Sequence, residues 1–584
     1  MKRTLMSGNE AFARGAFEAG VHFAAAYPGT PSTEILENVA HYPEIDAQWS
    51  SNEKVALEVG VGASLAGSRV LVAMKHVGVN VAADPLMTFS YTGVNGGLVF
   101  IVADDPGMHS SQNEQDSRHY ARLAKIPMLE PSDSQEAKDM VKTALEISEE
   151  FDTPVFLKSS TRISHAQTLV TQGEREDVAI RPYQKNMKKY VMIPANGRQR
   201  HVVVEERMDL LRKFAEQSPL NRIEWRDKKI GVICAGICYQ YVREALPDAS
   251  VLKLGMCYPL PARLIEEFAS NVDELYVVEE LDPFTEEQVK AMGIPVTGKE
   301  LFPLTGEVFP NMVAQKILGE AHSRPLDIKG YCDQPIPMRP PVLCPGCTHR
   351  SVFYMLKKLK MVVSGDIGCY TLGSLQPLDA MDTCVCMGAS VSAGLGFEKG
   401  NPDLKGKVVA VIGDSTFFHS GLTGLADVVY NRGTTLTMIL DNRITAMTGH
   451  QHHPGTGSTL KGEPTVALDI SAICKAMGVS RVREVDPFDL KALEAAIREE
   501  AAADEPSVMI VRRACTLLDK GPKDTYLIDR DKCIACGLCM KLGCPAIFRE
   551  GDVVSVDSSL CVGCAVCVQV CKKDAITKAG GDNA

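Results

Sequence analysis

The sequence predicts a multi-domain protein of the α/β class ending in a small cysteine-rich α+β tail. Two observations carry this. Short apolar runs alternate with amphipathic stretches through most of the 584 residues, and eight of the 19 cysteines fall between positions 533 and 571. At this length about three to five domains are expected, and 45% hydrophobic with 23% charged residues is an ordinary globular balance. A formal net charge of −11 supplies no overall basic field, which argues against nucleic acid and against an anionic membrane surface as partners. No stretch offers about 20 uninterrupted apolar residues for a membrane span. The opening "MKRTLMSGNEAFARGAFEAG" lacks the continuous apolar segment of a secretory signal, so a cytoplasmic location is expected. In a reducing cytosol the cysteines stay available for metals or catalysis instead of forming a disulfide framework.

The elements follow in chain order. "RVLVAM", "LVFIVAD", "KIGVICAG", "ELYVVEE", "KVVAVIGD" and "TTLTMILDN" read as buried parallel strands, several with Gly or Asp at their carboxyl ends, where loops commonly bind ligands. Composition shifts mark three boundaries: a polar, basic stretch from about Thr171 to Arg200, the proline-rich "CDQPIPMRPPVLCPGC", and "CTLLDKGPKDTYLIDRDKC". The expected segments are 1–170, 171–330, 331–520 and the tail 521–584.

In the tail, Cys533, Cys536 and Cys539 are followed by Cys544-Pro545, and Cys561, Cys564 and Cys567 by Cys571. Two Cys-x-x-Cys-x-x-Cys halves make a two-cluster ferredoxin of the bacterial type, in which the fourth cysteine of each half ligates the other cluster. Cys533, Cys536, Cys539 and Cys571 are therefore assigned to one [4Fe–4S] cluster, and Cys544, Cys561, Cys564 and Cys567 to a second. An extra residue in "MKLGCP" and Lys572 in place of the usual proline depart from the bare pattern without removing a ligand. A tetrahedral zinc site is the competing reading of paired Cys-x-x-Cys.

Upstream, one strand ends at Gly413-Asp414 and the next at Asp441-Asn442, which places a carboxylate and an amide at neighbouring strand ends. With a loop carbonyl near Ile444 these oxygens suit Mg²⁺, which completes an octahedral shell with diphosphate oxygens and water. The competing reading is an ordinary strand-helix-strand unit with Asp414 as a helix cap. The arrangement resembles the Gly-Asp-Gly to Asn motif of thiamine-diphosphate enzymes, with Ser415 where glycine is usual.

"YPGTPSTEIL", "SSNEKVALEVGVGASLAG", "CPGCTHR", "GDIGCYTLG" and "MGASVSAGLGF", taken with these motifs, resemble the 2-oxoacid:ferredoxin oxidoreductase family over essentially the whole chain, and more narrowly its indolepyruvate branch. The resemblance implies doubly wound domains: a pyrimidine-binding domain first, a middle transketolase-C-terminal-like α/β domain, a diphosphate- and Mg-binding domain, and the ferredoxin tail. It implies oxidative decarboxylation of aryl 2-oxoacids with coenzyme A, electrons leaving to ferredoxin, and a smaller beta subunit in an alpha2beta2 assembly. By the same resemblance Glu53 is the carboxylate that activates thiamine, with Glu58 as runner-up. Thr30 points at the substrate carboxylate and His349 lies near the cofactor diphosphate. Cys344, Cys347, Cys369 and Cys515 match the ligands of a third cluster. Lys75-His76 is another strand-end pair that could face substrate, and "HSSQNEQDSRHY" at 109–120 reads as a lid or plain surface. Three rivals stay open: the same chemistry on another 2-oxoacid, a non-oxidative decarboxylase, and an electron-transfer subunit whose thiamine fold is only scaffold.

Overall fold

The computed structural model describes residues 2–323, 336–337, 339–519, 521 and 523–579. The chain divides into two compact units, Met1–Asp333 and Gln334–Ala584. The expected boundary at 330/331 lies outside the described residues.

In the first unit the strands are β1 (Arg3–Ser7), β2 (Phe23–Ala26), β3 (Asp46–Trp49), β4 (Val70–Lys75), β5 (Leu98–Asp104), β6 (Met128–Leu129), β7 (Val155–Ser160) and β8 (Gln167–Thr171). They continue with β9 (Arg222–Glu224), β10 (Asp227–Ala235), β11 (Ala249–Leu254), β12 (Met256–Tyr258) and β13 (Glu274–Val278). The main sheet has the order β12-β6-β7-β5-β4-β2-β3. Its strands are parallel except β12, which pairs antiparallel with β6. Every residue of β4, β5 and β7 is buried, as continuous apolar runs require in a sheet covered on both faces. Phe100 and Phe156 meet edge-on at 5.5 Å across β5 and β7, adding about 1 kcal/mol beyond their burial.

A second sheet, β13-β10-β11-β9, is built from the middle segment. Because β12 leaves that segment to extend the main sheet, the 1–170 and 171–330 segments share one unit. Three residues are too few for the alternation signal, so sequence patterning passes over β12.

The second unit contains β14 (Val362–Gly365), β15 (Thr383–Cys384), β16 (Val408–Gly413), β17 (Leu436–Asp441), β18 (Arg481–Val485) and β19 (Ser507–Arg512). They form an all-parallel sheet of order β15-β14-β16-β17-β19-β18. The tail adds two short antiparallel ribbons, β20 (Tyr526–Ile528) with β23 (Ile576–Lys578), and β21 (Ile547–Glu550) with β22 (Val553–Val556). In both large sheets the chain steps from its first parallel strand to one neighbour and then crosses to the other side. This leaves a crevice between β2 and β4 in one unit and between β14 and β16 in the other, the kind of place where open α/β sheets hold ligands. Among the described residues no helix is long and apolar enough to cross a membrane.

Candidate active site

In the second unit the crevice is lined by buried acids. Asp414, only 2% exposed, follows the last residue of β16; its Oδ2 accepts from Arg443 N at 2.8 Å and lies 3.1 Å from His453 Nε2. Burial pushes this carboxyl up. The adjacent His453 and the N–H groups of Ser415 and Arg443 more than offset that and hold it below the usual range. Asn442 follows β17; its Oδ1 accepts from Ile444 N at 3.3 Å, and its Nδ2 lies 3.4 Å from His349 Nε2. His349 is buried, and burial pulls its imidazole down to about 4, so it is neutral at physiological pH. Ser415 Oγ accepts from Thr445 Oγ1 at 2.9 Å. Asp366, at the end of β14, accepts from the N–H groups of Ile367, Gly388 and Ser390 and so pins the start of the helix Ala389–Gly400.

The site thus gathers Gly413, Asp414, Ser415, Asn442, Ile444 and His349. A buried ionised carboxylate and an amide oxygen beside a neutral imidazole form a donor set that fits a small hard cation. His453 was missed by sequence reading: it sits 39 residues beyond Asp414 in an aperiodic loop, with only the local "HQHHPG" as a signal.

Twelve of the fifteen cysteines of this unit fall into three neighbouring groups, Cys384, Cys386 and Cys474 lying outside them. Cys515 N donates to Asn442 O at 2.9 Å, which ties the end of the last parallel strand to the Asp414 crevice. Burial, then the proximity of Cys515 and Cys344, pushes the Cys369 thiol up to about 11. Burial and then the neighbouring Cys369 and Cys344 push Cys347 up to about 12, despite offsetting contributions from the His349 backbone and Arg350. The CPGC turn also lines a pocket, through Gly346 and Cys347, that is shared with Cys544, Cys561, Cys564 and Cys567. Gly346 has φ +65°, and a Cβ there would meet Val562 Cγ2 at 2.1 Å, so only glycine lets the turn approach the tail this closely. Arg350 reinforces the approach by donating to the carbonyls of Leu542, Gly543, Leu343 and Cys344. A further pocket is lined by Cys533, Cys536, Cys539 and Cys571. The tail cysteines therefore converge as two crossed sets, each containing one residue from the other half. Four thiols around one largely apolar pocket, all half-buried but the exposed Cys536, fit a cluster whose iron replaces the thiol protons.

In the first unit, Glu53 opens the helix Glu53–Leu65 behind an Asn52 cap that accepts from Val55 N at 2.9 Å. It is 5% exposed and packs on Gly78, where a Cβ would stand 2.6 Å from Glu53 Cγ. Glu58 is instead a half-exposed partner of Lys54 on the helix surface, which disfavours it as runner-up. Thr30 stands in the loop after β2, where its carbonyl accepts from Ser110 Oγ at 3.2 Å. Lys75 ends β4 and donates from Nζ to Ser110 O at 2.7 Å. His76, fully buried, lies 3.2 Å from Asn113 Oδ1 through Nε2. The 109–120 stretch is tethered to this edge, because Ser110 and Ser111 donate to Asp105, and Asp116 and Arg118 form a buried ion pair. Thr30, Glu53, Lys75 and His76 thus meet at one carboxyl edge.

Comparison with known proteins gives the same picture. The family "Pyruvate flavodoxin/ferredoxin oxidoreductase, thiamine diP-bdg" matches residues 14–217. "Thiamine pyrophosphate enzyme, C-terminal TPP binding domain" matches 366–511, and "4Fe-4S binding domain" matches 554–577. Indolepyruvate oxidoreductase subunit IorA of Archaeoglobus fulgidus is 42% identical over 99% of this chain and 98% of its own, and that of Pyrococcus abyssi is 43% identical over 99% and 97%. 2-Oxoglutarate synthase subunit KorA of Archaeoglobus fulgidus is 25% identical over 48% of this chain and 89% of its own. The chain belongs to the thiamine-diphosphate-dependent 2-oxoacid:ferredoxin oxidoreductase family, among the relatives of the IorA subunits.

Proposed function

We propose that this chain is the large subunit of an enzyme that oxidatively decarboxylates aryl 2-oxoacids such as indolepyruvate. Coenzyme A takes the acyl group as a thioester, CO₂ leaves, and two electrons pass singly to ferredoxin. The names of full-length relatives at about 40% identity support the aryl substrate. The observation that carries the reading is the unbroken succession in the second unit, from the Asp414–Asn442 crevice through Cys515 to the CPGC turn and on to two crossed cysteine sets.

Thiamine diphosphate, when bound, supplies the electron sink for loss of CO₂. Asp414, Asn442 and the Ile444 carbonyl hold Mg²⁺ and through it the diphosphate, with His349 beside them and His453 keeping Asp414 ionised. Glu53 exchanges the proton that activation of the cofactor requires, and Thr30 binds substrate. Cys344, Cys347, Cys369 and Cys515 carry the first [4Fe–4S] cluster. Cys544, Cys561, Cys564 and Cys567 carry the next, and Cys533, Cys536, Cys539 and Cys571 the outermost. The four segments serve as pyrimidine-binding (1–170), middle (171–330), diphosphate-binding (331–520) and ferredoxin (521–584) domains. A smaller beta subunit completes a cytoplasmic alpha2beta2 enzyme and supplies part of the coenzyme A site.

An anaerobic assay of the chain with its partner subunit tests this, comparing indolepyruvate, phenylpyruvate, pyruvate and 2-oxoglutarate for coenzyme-A-dependent reduction of a viologen dye. Preference for the aryl acids is expected. Aldehyde release without dye reduction overturns the proposal.

A further inference from the structure

We infer that the crevice between β2 and β4 is an anion site in which the Lys75 ammonium and the N-terminus of the helix His76–Thr92 hold the carboxylate of the 2-oxoacid. This rests on the function proposed above and assigns to Lys75 the charge that Thr30 cannot provide.

Lys75 is 7% exposed, and among the described residues no carboxylate forms an ion pair with it. Among the described residues its Nζ donates to two oxygens, both on Ser110: the carbonyl at 2.7 Å and the hydroxyl at 3.4 Å. A buried ammonium has three N–H donors and is costly to keep without an anion. Asp105, the neighbouring acid on β5's loop, already accepts from Ser110 N, Ser111 Oγ and Thr161 Oγ1. The helix that begins at His76 runs 17 residues, takes no side-chain cap from Lys75 and has no acid of its own in the first turn, the Glu53 carboxylate lying against that turn at Gly78. In that turn the His76 imidazole is wholly buried, and its Nδ1 has no hydrogen-bond partner. Because His76 Nε2 faces the acceptor Asn113 Oδ1, the Nδ1 of the neutral ring carries no proton and adds nothing to an anion; it is the buried ammonium, which no carboxylate among the described residues reaches at ion-pair distance, at the start of a helix without a side-chain cap, that calls for a small anion.

The place is that of a substrate. Gly29, next to Thr30, lies against Lys75, with a Cβ there only 3.2 Å from Lys75 Cβ. Gly78, in the first turn of the same helix, abuts Glu53. A carboxylate held by Lys75 thus sits one helical turn from the acid proposed to activate the cofactor. The other anion of the reaction, the cofactor's diphosphate, shares this chemistry, and the test separates the two.

Burial lowers Lys75 to about 8, with Asp105 acting in the opposite direction. His76, Asp105 and Glu53 are the titratable groups on the elements around it. A lysine with a depressed value is charged below it and neutral above, so KM for the 2-oxoacid should climb as pH rises through about 8. Arginine at this position stays charged.

The experiment compares wild type, Lys75→Met and Lys75→Arg as holoenzyme with the partner subunit, reading KM and kcat for indolepyruvate and phenylpyruvate, thiamine diphosphate affinity and iron content. Lys75→Met should raise KM by about 10- to 100-fold while leaving kcat, cofactor affinity and iron near wild type. An unchanged KM in Lys75→Met overturns the inference, as does a loss of cofactor affinity with KM unmoved, which would mark a diphosphate contact. Should Lys75→Met fail to assemble, Lys75→Arg decides: a KM flat through the pH range where wild type climbs supports the inference, and the same climb in both overturns it. A wild type that turns over no 2-oxoacid sinks the proposed reaction together with this inference, whereas an active wild type with KM unmoved in Lys75→Met sinks the inference alone.

Discussion

The two large parallel sheets use the same topological position for opposite charges. In each, the third strand lies beside the first across the point where the connections reverse. In the first unit that strand ends in Lys75 and in the second it runs into Asp414. Both side chains are buried, and both are followed at once by a helix. Lys75 keeps its charge beside backbone carbonyl and hydroxyl oxygens, and Asp414 keeps its own beside an imidazole and backbone N–H groups. Topology makes the crevice, and one residue at its rim decides whether an anion or a cation belongs there.

The comparison is broken most severely by Asp414→Ala. With the carboxylate gone, Mg-thiamine diphosphate binding should disappear and turnover should fall on the order of 1,000-fold or more, while iron content stays at the wild-type level. Calorimetric titration and iron analysis check this; retention of the cofactor at wild-type affinity would relocate the cation site. Glu53→Gln acts on the other edge and should keep cofactor and clusters yet lower kcat by about 100- to 10,000-fold, because an amide cannot exchange the proton. Full activity in that variant removes Glu53 from the reaction.

Cys369→Ala should lower iron from about twelve to about eight per chain. About eight irons in wild type, with no loss in the variant, would leave the tail pair as the whole relay. A smaller effect is expected of Gly346→Val, whose side chain would collide with Val562. Overpacking costs about 1–3 kcal/mol, to be seen as earlier loss of cluster absorbance on heating. Glu58→Gln sharpens the contrast with Glu53, since its surface pairing with Lys54 predicts unchanged turnover.

What sequence reading could see depended on how far apart the partners lie in the chain. In the tail the spacing itself encodes a crossing of the two halves, and the same cysteines line two separate pockets in the fold. The acids at the strand ends were legible because "KVVAVIGD" and "TTLTMILDN" each announce a strand and its terminus. His453 was not, since an aperiodic loop carries no sign of where it folds back. The 109–120 stretch read equally as lid or surface, because polarity does not reveal that Ser110, Ser111 and Asn113 find partners on strand ends formed by earlier residues. Lys75-His76 was visible as a pair, but only the fold shows that among the described residues no carboxylate stands within ion-pair distance of the lysine.

The crossing of the tail cysteines also bears on how the protein is made. On the assignment above, the set that begins at Cys533 waits for Cys571, and the set that ends at Cys567 draws on Cys544. Neither can close while the ribosome is still adding the intervening residues, although the sheets upstream can already fold as the chain emerges. Cluster insertion here therefore waits until both halves of the tail have been made. A nascent chain stalled anywhere before position 571 would present seven thiols at most, with the outer iron site lacking its fourth ligand and open to oxidation.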